Sequence, residues 1–129
     1  MQKLRGCVLV IDDDAGVREV IIDMLEDAGV RTMSAASGEE GIALFQSHPD
    51  EVDLVLLDLS MPGIGGKETF RRLKALSTDL KIVVSSGYSQ TEVKDDLSHL
   101  GLTGFIQKPY RYDKLNDLVR KFLDGPPSA

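Results

Sequence analysis

The stretch VLVIDDDAGVRE, residues 8–19, runs a series of aliphatic residues directly into three consecutive aspartates. The aliphatic run is typical of a buried β-strand. Carboxylates held close together repel one another unless a cation neutralises them. The stretch therefore predicts a strand that ends at a metal ion or a basic side chain, or else in a solvated turn.

Composition limits the possible functions. The chain has 129 residues, 42% hydrophobic and 28% charged, with a formal net charge of −6, which predicts one globular domain. The acidic balance argues against direct binding to nucleic acid or to an anionic membrane, since both favour a basic patch. No apolar run is long enough to span a membrane. The lone Cys7 favours a reducing compartment, so a cytoplasmic location is expected, within a parent protein that can itself be membrane-anchored.

Apolar runs of strand length alternate with segments of helical periodicity. Strands are predicted at residues 7–11, 31–35, 54–57, 81–85 and 104–107. Helices are predicted over residues 17–28, from Ser37, over 70–76, from Ser89 and over 115–122. Ser37 and Ser89 each have a glutamate three residues later, the capping-box pattern. Five strands alternating with five helices predict an α/β three-layer sandwich, in which helices cover both faces of a parallel sheet.

Polar residues follow the predicted strands at the edge where open parallel sheets bind ligands. They are Asp12, Asp13, Asp58, Ser86 and Lys108. Each alone has a structural explanation, because aspartate caps helices, serine occupies turns and lysine is readily solvated. Their convergence on one edge predicts a site. Three carboxylates suit Mg²⁺, serine and lysine can hold phosphoryl oxygens, and one carboxylate can act as a nucleophile that carries an aspartyl-phosphate.

Four motifs, VLVIDDD, LVLLDLSMPGIGG, VVSSGY and GFIQKPY, occur in this order along the chain. Together they resemble the receiver domains of two-component response regulators. The resemblance implies a flavodoxin-like fold with strand order 2-1-3-4-5. It places the receiver domain at residues 6–123, an N-terminal extension or linker at 1–5 and a flexible tail at 124–129.

The resemblance also implies which residues form the phosphorylation site. Asp58 would be the phosphoacceptor and Mg²⁺ the cofactor. Asp13 would bind the metal directly and Asp12 through water, with Asp58 and the backbone carbonyl of Ser60 as further ligands.

Other positions match residues that respond to the phosphoryl group in the family. Ser86 and Lys108 would hold its oxygens. Ser86 and Phe105 would form the switch pair, although phenylalanine lacks the hydroxyl of the tyrosine often found there. Pro109 is a candidate for a cis peptide bond, and Asp14 is expected to cap the first helix. The switch surface is expected on the fourth predicted helix and the last strand and helix.

The implied function is that of a phosphoacceptor signalling domain in a two-component phosphorelay. It would accept a phosphoryl group from the phosphohistidine of a histidine kinase or histidine phosphotransfer domain, as a monomer or weak dimer. It would take part in phosphoryl transfer and in its own dephosphorylation without being an enzyme. The motif variants look most like the C-terminal receiver of a hybrid sensor histidine kinase, and a stand-alone regulator is the alternative.

Two other interpretations stay open at this point. VIDDDAG also looks like the first motif of haloacid-dehalogenase-type phosphatases, with Asp12 as nucleophile and Asp14 as acid/base. Such enzymes need a later acidic pair at a strand end after the lysine, whereas the acidic residues after Lys108 fall mainly on a predicted helix, and Asp58 goes unexplained. The second alternative is a receiver-like scaffold that binds partners without being phosphorylated.

Overall fold

The computed structural model describes residues 6–61, 63, 65–86, 101–107 and 111–124. The strands are β1 (Cys7–Ile11), β2 (Arg31–Ala35), β3 (Leu54–Asp58), β4 (Lys81–Ser86) and β5 (Gly104–Gln107). The helices are α1 (Ala15–Asp27), α2 (Gly38–Ser47), α3 (Gly65–Leu76) and α4 (Tyr112–Asp124).

The five strands form one parallel sheet in the order β2-β1-β3-β4-β5. This confirms the predicted parallel sheet and the strand order that the resemblance implied. All five strands lie where the sequence predicts them, and β3 and β4 each extend one residue further, to Asp58 and Ser86. The described residues contain four helices, whereas five were predicted. The remaining one, predicted from Ser89, falls within residues 87–100, outside the described part of the chain.

The core has two halves, one on each face of the sheet. Successive side chains of a strand point to opposite faces, so β1 contributes Leu9 and Ile11 to one half, and Val8 and Val10 to the other. The first half contains side chains of α2 and α3, and the second those of α1 and α4. Burial on both faces explains why the central strands are continuously apolar, and it confirms the three-layer arrangement.

Side-chain caps fix where two of the helices begin. The Asp14 carboxylate accepts a hydrogen bond from the Val17 amide at 3.1 Å, and the Ser37 hydroxyl accepts one from the Glu40 amide at 3.1 Å. Both caps were predicted from the sequence and are confirmed. Within the described ranges, no helix combines the length and apolar character needed to cross a membrane.

Candidate functional site

Three carboxylates meet at the carboxyl edge of the sheet. β1 and β3 are neighbours, with Ile11 opposite Leu57, so the next residues, Asp12 and Asp58, lie at the same edge. Each of these two aspartates is only 3% exposed, whereas Asp13 is exposed. Carboxylate oxygens of Asp12, Asp13 and Asp58 all lie within 4.8 Å of one another. The structure therefore brings together the three carboxylates that the sequence singled out.

The chain bends directly after β1, which allows neighbouring aspartates to share one site. In a continuing strand, Asp12 and Asp13 would point to opposite faces. The Asp12 amide still donates to the Ala35 carbonyl at 3.1 Å, which extends the pairing of β1 with β2. The Asp14 amide then donates to Asp12 Oδ1 at 2.9 Å, and Arg18 Nη1 donates to the Asp12 carbonyl at 2.7 Å. These three bonds hold the bend at Asp13.

Asp58 is oriented by the turn that follows β3. The Ser60 amide donates to Asp58 Oδ1 at 3.0 Å, and the Leu59 amide donates to the Ser85 carbonyl at 2.9 Å. The second bond ties the turn to β4, whose Ser85 lies opposite Asp58. Ser60 is itself exposed on this turn, where its carbonyl is two residues from the phosphoacceptor candidate. The Ser60 amide thus orients the Asp58 carboxylate, and the Leu59 amide holds the turn in place.

The start of α3 packs closely against the turn that follows β3. A Cβ added at Gly66 would collide with the Leu59 Cα and would lie 2.8 Å from the Asp58 carbonyl oxygen. A side chain at Gly66 would therefore push the helix away from the carboxylate site. The sequence analysis missed this contact, because Gly66 lies before the predicted helix at residues 70–76, where a turn already accounts for glycine.

Two of the other predicted site residues, Ser86 and Phe105, lie on described strands. Ser86 is the last residue of β4, is fully buried and lies at the same edge, one residue beyond Asp58's neighbour Ser85. Phe105 lies on β5, opposite Val84 of β4. Its side chain is partly buried against the half of the core that contains α2 and α3 side chains. Lys108 and Pro109 lie outside the described residues.

The donor set fits Mg²⁺. All three side chains offer hard carboxylate oxygens, which Mg²⁺ prefers together with water and phosphate oxygens. The carboxylate oxygens of Asp12, Asp13 and Asp58 lie within 4.8 Å of one another, near enough to hold one cation between them, directly or through water. Without a cation, carboxylates at this separation repel one another. A divalent cation would remove that repulsion, which would explain why a buried strand can end in consecutive aspartates.

Comparison with known proteins identifies the family. The model of the response regulator receiver domain matches residues 8–120. The chain belongs to this family. It is 28% identical over 116 residues to sporulation initiation phosphotransferase F of Bacillus subtilis (strain 168), covering 90% of this chain and 92% of that protein. It is 30% identical over 117 residues to the sensor kinase CckA of Brucella abortus (strain 2308), covering 91% of this chain but 12% of that protein.

A solved structure gives the same result. A response regulator receiver protein from Pseudomonas putida is 34% identical and matches with a TM-score of 0.81, covering 93% of this chain and 99% of that one. Receiver domains of two-component systems are phosphoacceptor signalling domains, and this chain is one of them. The phosphatase interpretation is not favoured, because the family match includes both Asp12 and Asp58 in a single receiver pattern.

Sequence reasoning missed Arg18 as part of the site. The residue lies one helical turn after the cap Asp14, and its own amide donates to the Asp14 carbonyl at 3.0 Å. The sequence did contain a signal: Arg18 is a cation one turn into a helix that directly follows an acidic cluster. Its hydrogen bond to Asp12 shows that it belongs to the bend.

Proposed function

We propose that the chain accepts a phosphoryl group on Asp58, next to Mg²⁺ held by Asp12, Asp13, Asp58 and the Ser60 carbonyl. The observation that carries this proposal is the convergence of the three carboxylates, with Asp58 buried and held by a backbone amide. Bound Mg²⁺ would supply positive charge to the phosphoryl oxygens. The residues themselves supply the nucleophile, its orientation and the ligands.

The phosphoryl donor would be a phosphohistidine on a histidine kinase or a histidine phosphotransfer domain. One Asp58 carboxylate oxygen forms a bond to phosphorus while the bond from phosphorus to the imidazole nitrogen breaks, and that nitrogen keeps the electron pair. The Ser60 amide fixes the direction of the Asp58 carboxylate. Relatives named as a sporulation phosphotransferase and a sensor kinase support a role in such a relay.

The response to phosphorylation would involve β4 and β5. The new phosphate adds about two negative charges and three acceptor oxygens. Ser86 would donate its hydroxyl to one of these oxygens, and Lys108 would pair with another. Ser86 lies opposite Gln107 on β5, so its movement would reach the strand that carries Phe105 and the surface next to it. Water would later hydrolyse the acyl-phosphate on Asp58. Separately, the peptide bond before Pro109 is still proposed to be cis.

The wider context is also a proposal. The receiver domain would span residues 6–123, with an N-terminal extension or linker at 1–5 and a flexible tail at 124–129. The family match at residues 8–120 supports the proposed position of the receiver domain. The chain spans 92% of the sporulation phosphotransferase but 12% of the sensor kinase. The first relative supports a stand-alone regulator, and the second supports a receiver within a larger hybrid kinase. We propose a cytoplasmic domain, monomeric or weakly dimeric, that contacts neither nucleic acid nor membrane directly.

The test is intact mass after incubation with a small acyl-phosphate donor, with and without Mg²⁺. Wild type should gain one phosphoryl group that requires Mg²⁺. Asp58→Asn should gain none, because the nucleophile is gone, and Asp12→Asn should be modified much more slowly. Asp53→Asn, which removes a carboxylate at the opposite edge of the sheet, is the matched control and should behave as wild type.

Two outcomes would contradict the proposal. Labelling of the Asp58→Asn protein on Asp12 would support a phosphatase-type nucleophile instead. If every folded form stays unmodified with a donor that modifies another receiver, and also with a panel of phosphorylated histidine kinases, the scaffold interpretation is supported.

A further inference from the structure

Arg18 lies beside the acidic cluster but contacts the backbone. Its Nη1 donates to the Asp12 carbonyl at 2.7 Å, the short distance typical of a charge-assisted hydrogen bond. That carbonyl belongs to the peptide group joining Asp12 to Asp13. The half-buried Arg18 side chain therefore reaches back from α1 and holds the peptide between two metal-ligand candidates.

The direction of this peptide group decides where the two carboxylates point. Neighbouring residues share a site only while the chain stays bent. The Asp12 amide is fixed by Ala35, and Asp12 Oδ1 is fixed by the Asp14 amide, but these bonds leave the Asp12 carbonyl to be held by another group. Arg18 supplies that hold from a rigid helix, since its own amide is bonded to the Asp14 carbonyl.

We propose that Arg18 is a positioning residue for the metal site, which fixes the Asp12–Asp13 peptide and so keeps both carboxylates aimed at one cation. This rests on the proposed Mg²⁺ site. Groups that orient metal ligands commonly change metal affinity by 10- to 100-fold when removed. Arg18 acts through the backbone of a ligand and should fall at the low end of this range.

The sign of the effect separates positioning from simple charge. A guanidinium near a divalent cation repels it, so if charge dominated, removing Arg18 would tighten Mg²⁺ binding. If positioning dominates, removing Arg18 weakens binding. Repulsion between partly solvated charges is also screened by salt, whereas a loss caused by a misdirected peptide persists at high ionic strength.

The experiment compares wild type with Arg18→Met, Arg18→Lys and Arg71→Met in the full chain. Arg71→Met is the matched control, because it removes a cation whose side chain is 63% exposed and 4.0 Å from Glu68 on α3. Mg²⁺ dissociation constants are measured by calorimetry at low and high salt. Amide hydrogen exchange of the metal-free proteins is measured by NMR, with the Asp14 amide reporting on the bend and the Ser60 amide on the turn after β3.

The expected result is a roughly tenfold weaker Mg²⁺ affinity for Arg18→Met at both salt concentrations. Its Asp14 amide should exchange faster while the Ser60 amide is unchanged. Arg18→Lys should recover part of the affinity, since lysine retains a donor and the charge, and Arg71→Met should match wild type.

Equal or tighter Mg²⁺ binding by Arg18→Met would overturn the assignment, even if its melting temperature falls, because a merely structural role would change stability alone. A wild type that binds no Mg²⁺ would refute the proposed metal site. In that case the Asp14 amide still decides about Arg18: unchanged exchange in Arg18→Met would show that it does not hold the bend, and faster exchange that it does.

Discussion

The two edges of the sheet differ in how their charged side chains are arranged. Beneath the carboxyl edge, Asp12, Asp58 and Ser85 line a small cavity of about 10 Å³ that is otherwise enclosed by core side chains such as Leu56 and Ile106. At the amino edge a groove of about 560 Å³ is lined by apolar and charged side chains, among them Phe45, Leu80, Asp53, Asp79, Lys81 and Phe122. The three carboxylates meet at the carboxyl edge, and none of them lines the groove at the amino edge. For a domain whose proposed reactive group is one of its own side chains, the grouping of carboxylates is a better indicator of the site than the large groove.

The direction of the helices helps to explain why carboxylates are grouped at the carboxyl edge. In a sheet with parallel strands, α1, α2 and α3 begin at the carboxyl edge, where their partly positive N-termini favour carboxylates. At the amino edge, a lysine binds the C-terminal end of a helix. Lys81 Nζ donates to the Phe122 carbonyl at 2.8 Å, near the end of α4. Lys74 Nζ donates to the Leu80 carbonyl at 2.8 Å, and burial lowers the pKa of Lys74 while Asp79 opposes that shift.

Aspartates also occur at the amino edge, and one of them, Asp53, has a different environment. Asp53 Oδ2 accepts a hydrogen bond from the Cys7 amide at 2.9 Å, and the Asp53 amide donates to the Cys7 carbonyl at 2.9 Å. This carboxylate completes the pairing at the start of β1. An acidic residue next to a strand is thus not by itself a site, and the distinguishing feature is the approach of several carboxylates to one another.

The largest expected effect comes from Gly66→Ala. The added methyl group would collide with the backbone of Leu59 beside Asp58, and such overpacking costs about 3 kcal/mol. Urea unfolding should show this loss, and phosphorylation should fall even where the protein is folded, because the Asp58 turn must shift. Gly16→Ala is the control: its methyl group would approach only the Asp14 carboxylate, at 3.3 Å on an exposed helix start. Equal stability of the two variants would show that α3 does not constrain the site.

Local patterns predicted much of the fold and part of the site. The strands follow from apolar runs, and the Asp14 and Ser37 caps follow from the preference of short polar side chains for helix starts. The grouping of Asp12 with Asp58 follows because parallel strands end at one edge. The strand order came from the family resemblance, since apolar patterns do not specify which buried strands are neighbours.

The contacts of Arg18 and Gly66 could not be predicted in the same way. Both depend on how closely one element approaches another: α1 near the Asp12 carbonyl, and α3 near the Leu59 backbone. Such distances are set by the packing of the whole domain. The predictions for Lys108, Pro109 and the helix from Ser89 fall outside the described residues and stay predictions.

The second prediction concerns stabilisation by Mg²⁺. A ligand at a hundred times its dissociation constant stabilises the folded state by about 2.7 kcal/mol, and wild type should show this gain. Asp13→Asn should lose most of it at the same concentration, because one proposed ligand is gone. Without Mg²⁺, Asp13→Asn should be more stable than wild type by about 0.5 kcal/mol, since the variant relieves repulsion at an exposed position. Urea unfolding with and without Mg²⁺ measures both, and lower stability of the metal-free variant would contradict mutual repulsion.

The smallest expected effect is that of Asp53→Asn, the same isosteric change at the opposite edge. Here the carboxylate stabilises the fold through its bond to the Cys7 amide, and a neutral amide oxygen is a weaker acceptor. The metal-free variant should therefore lose about 1 kcal/mol, opposite in sign to Asp13→Asn, while its Mg²⁺ affinity and phosphorylation stay at wild-type values. If instead Asp53→Asn gains stability or binds Mg²⁺ more weakly, the two edges share one electrostatic environment. The contrast between a single paired carboxylate and a repelling cluster would then be wrong.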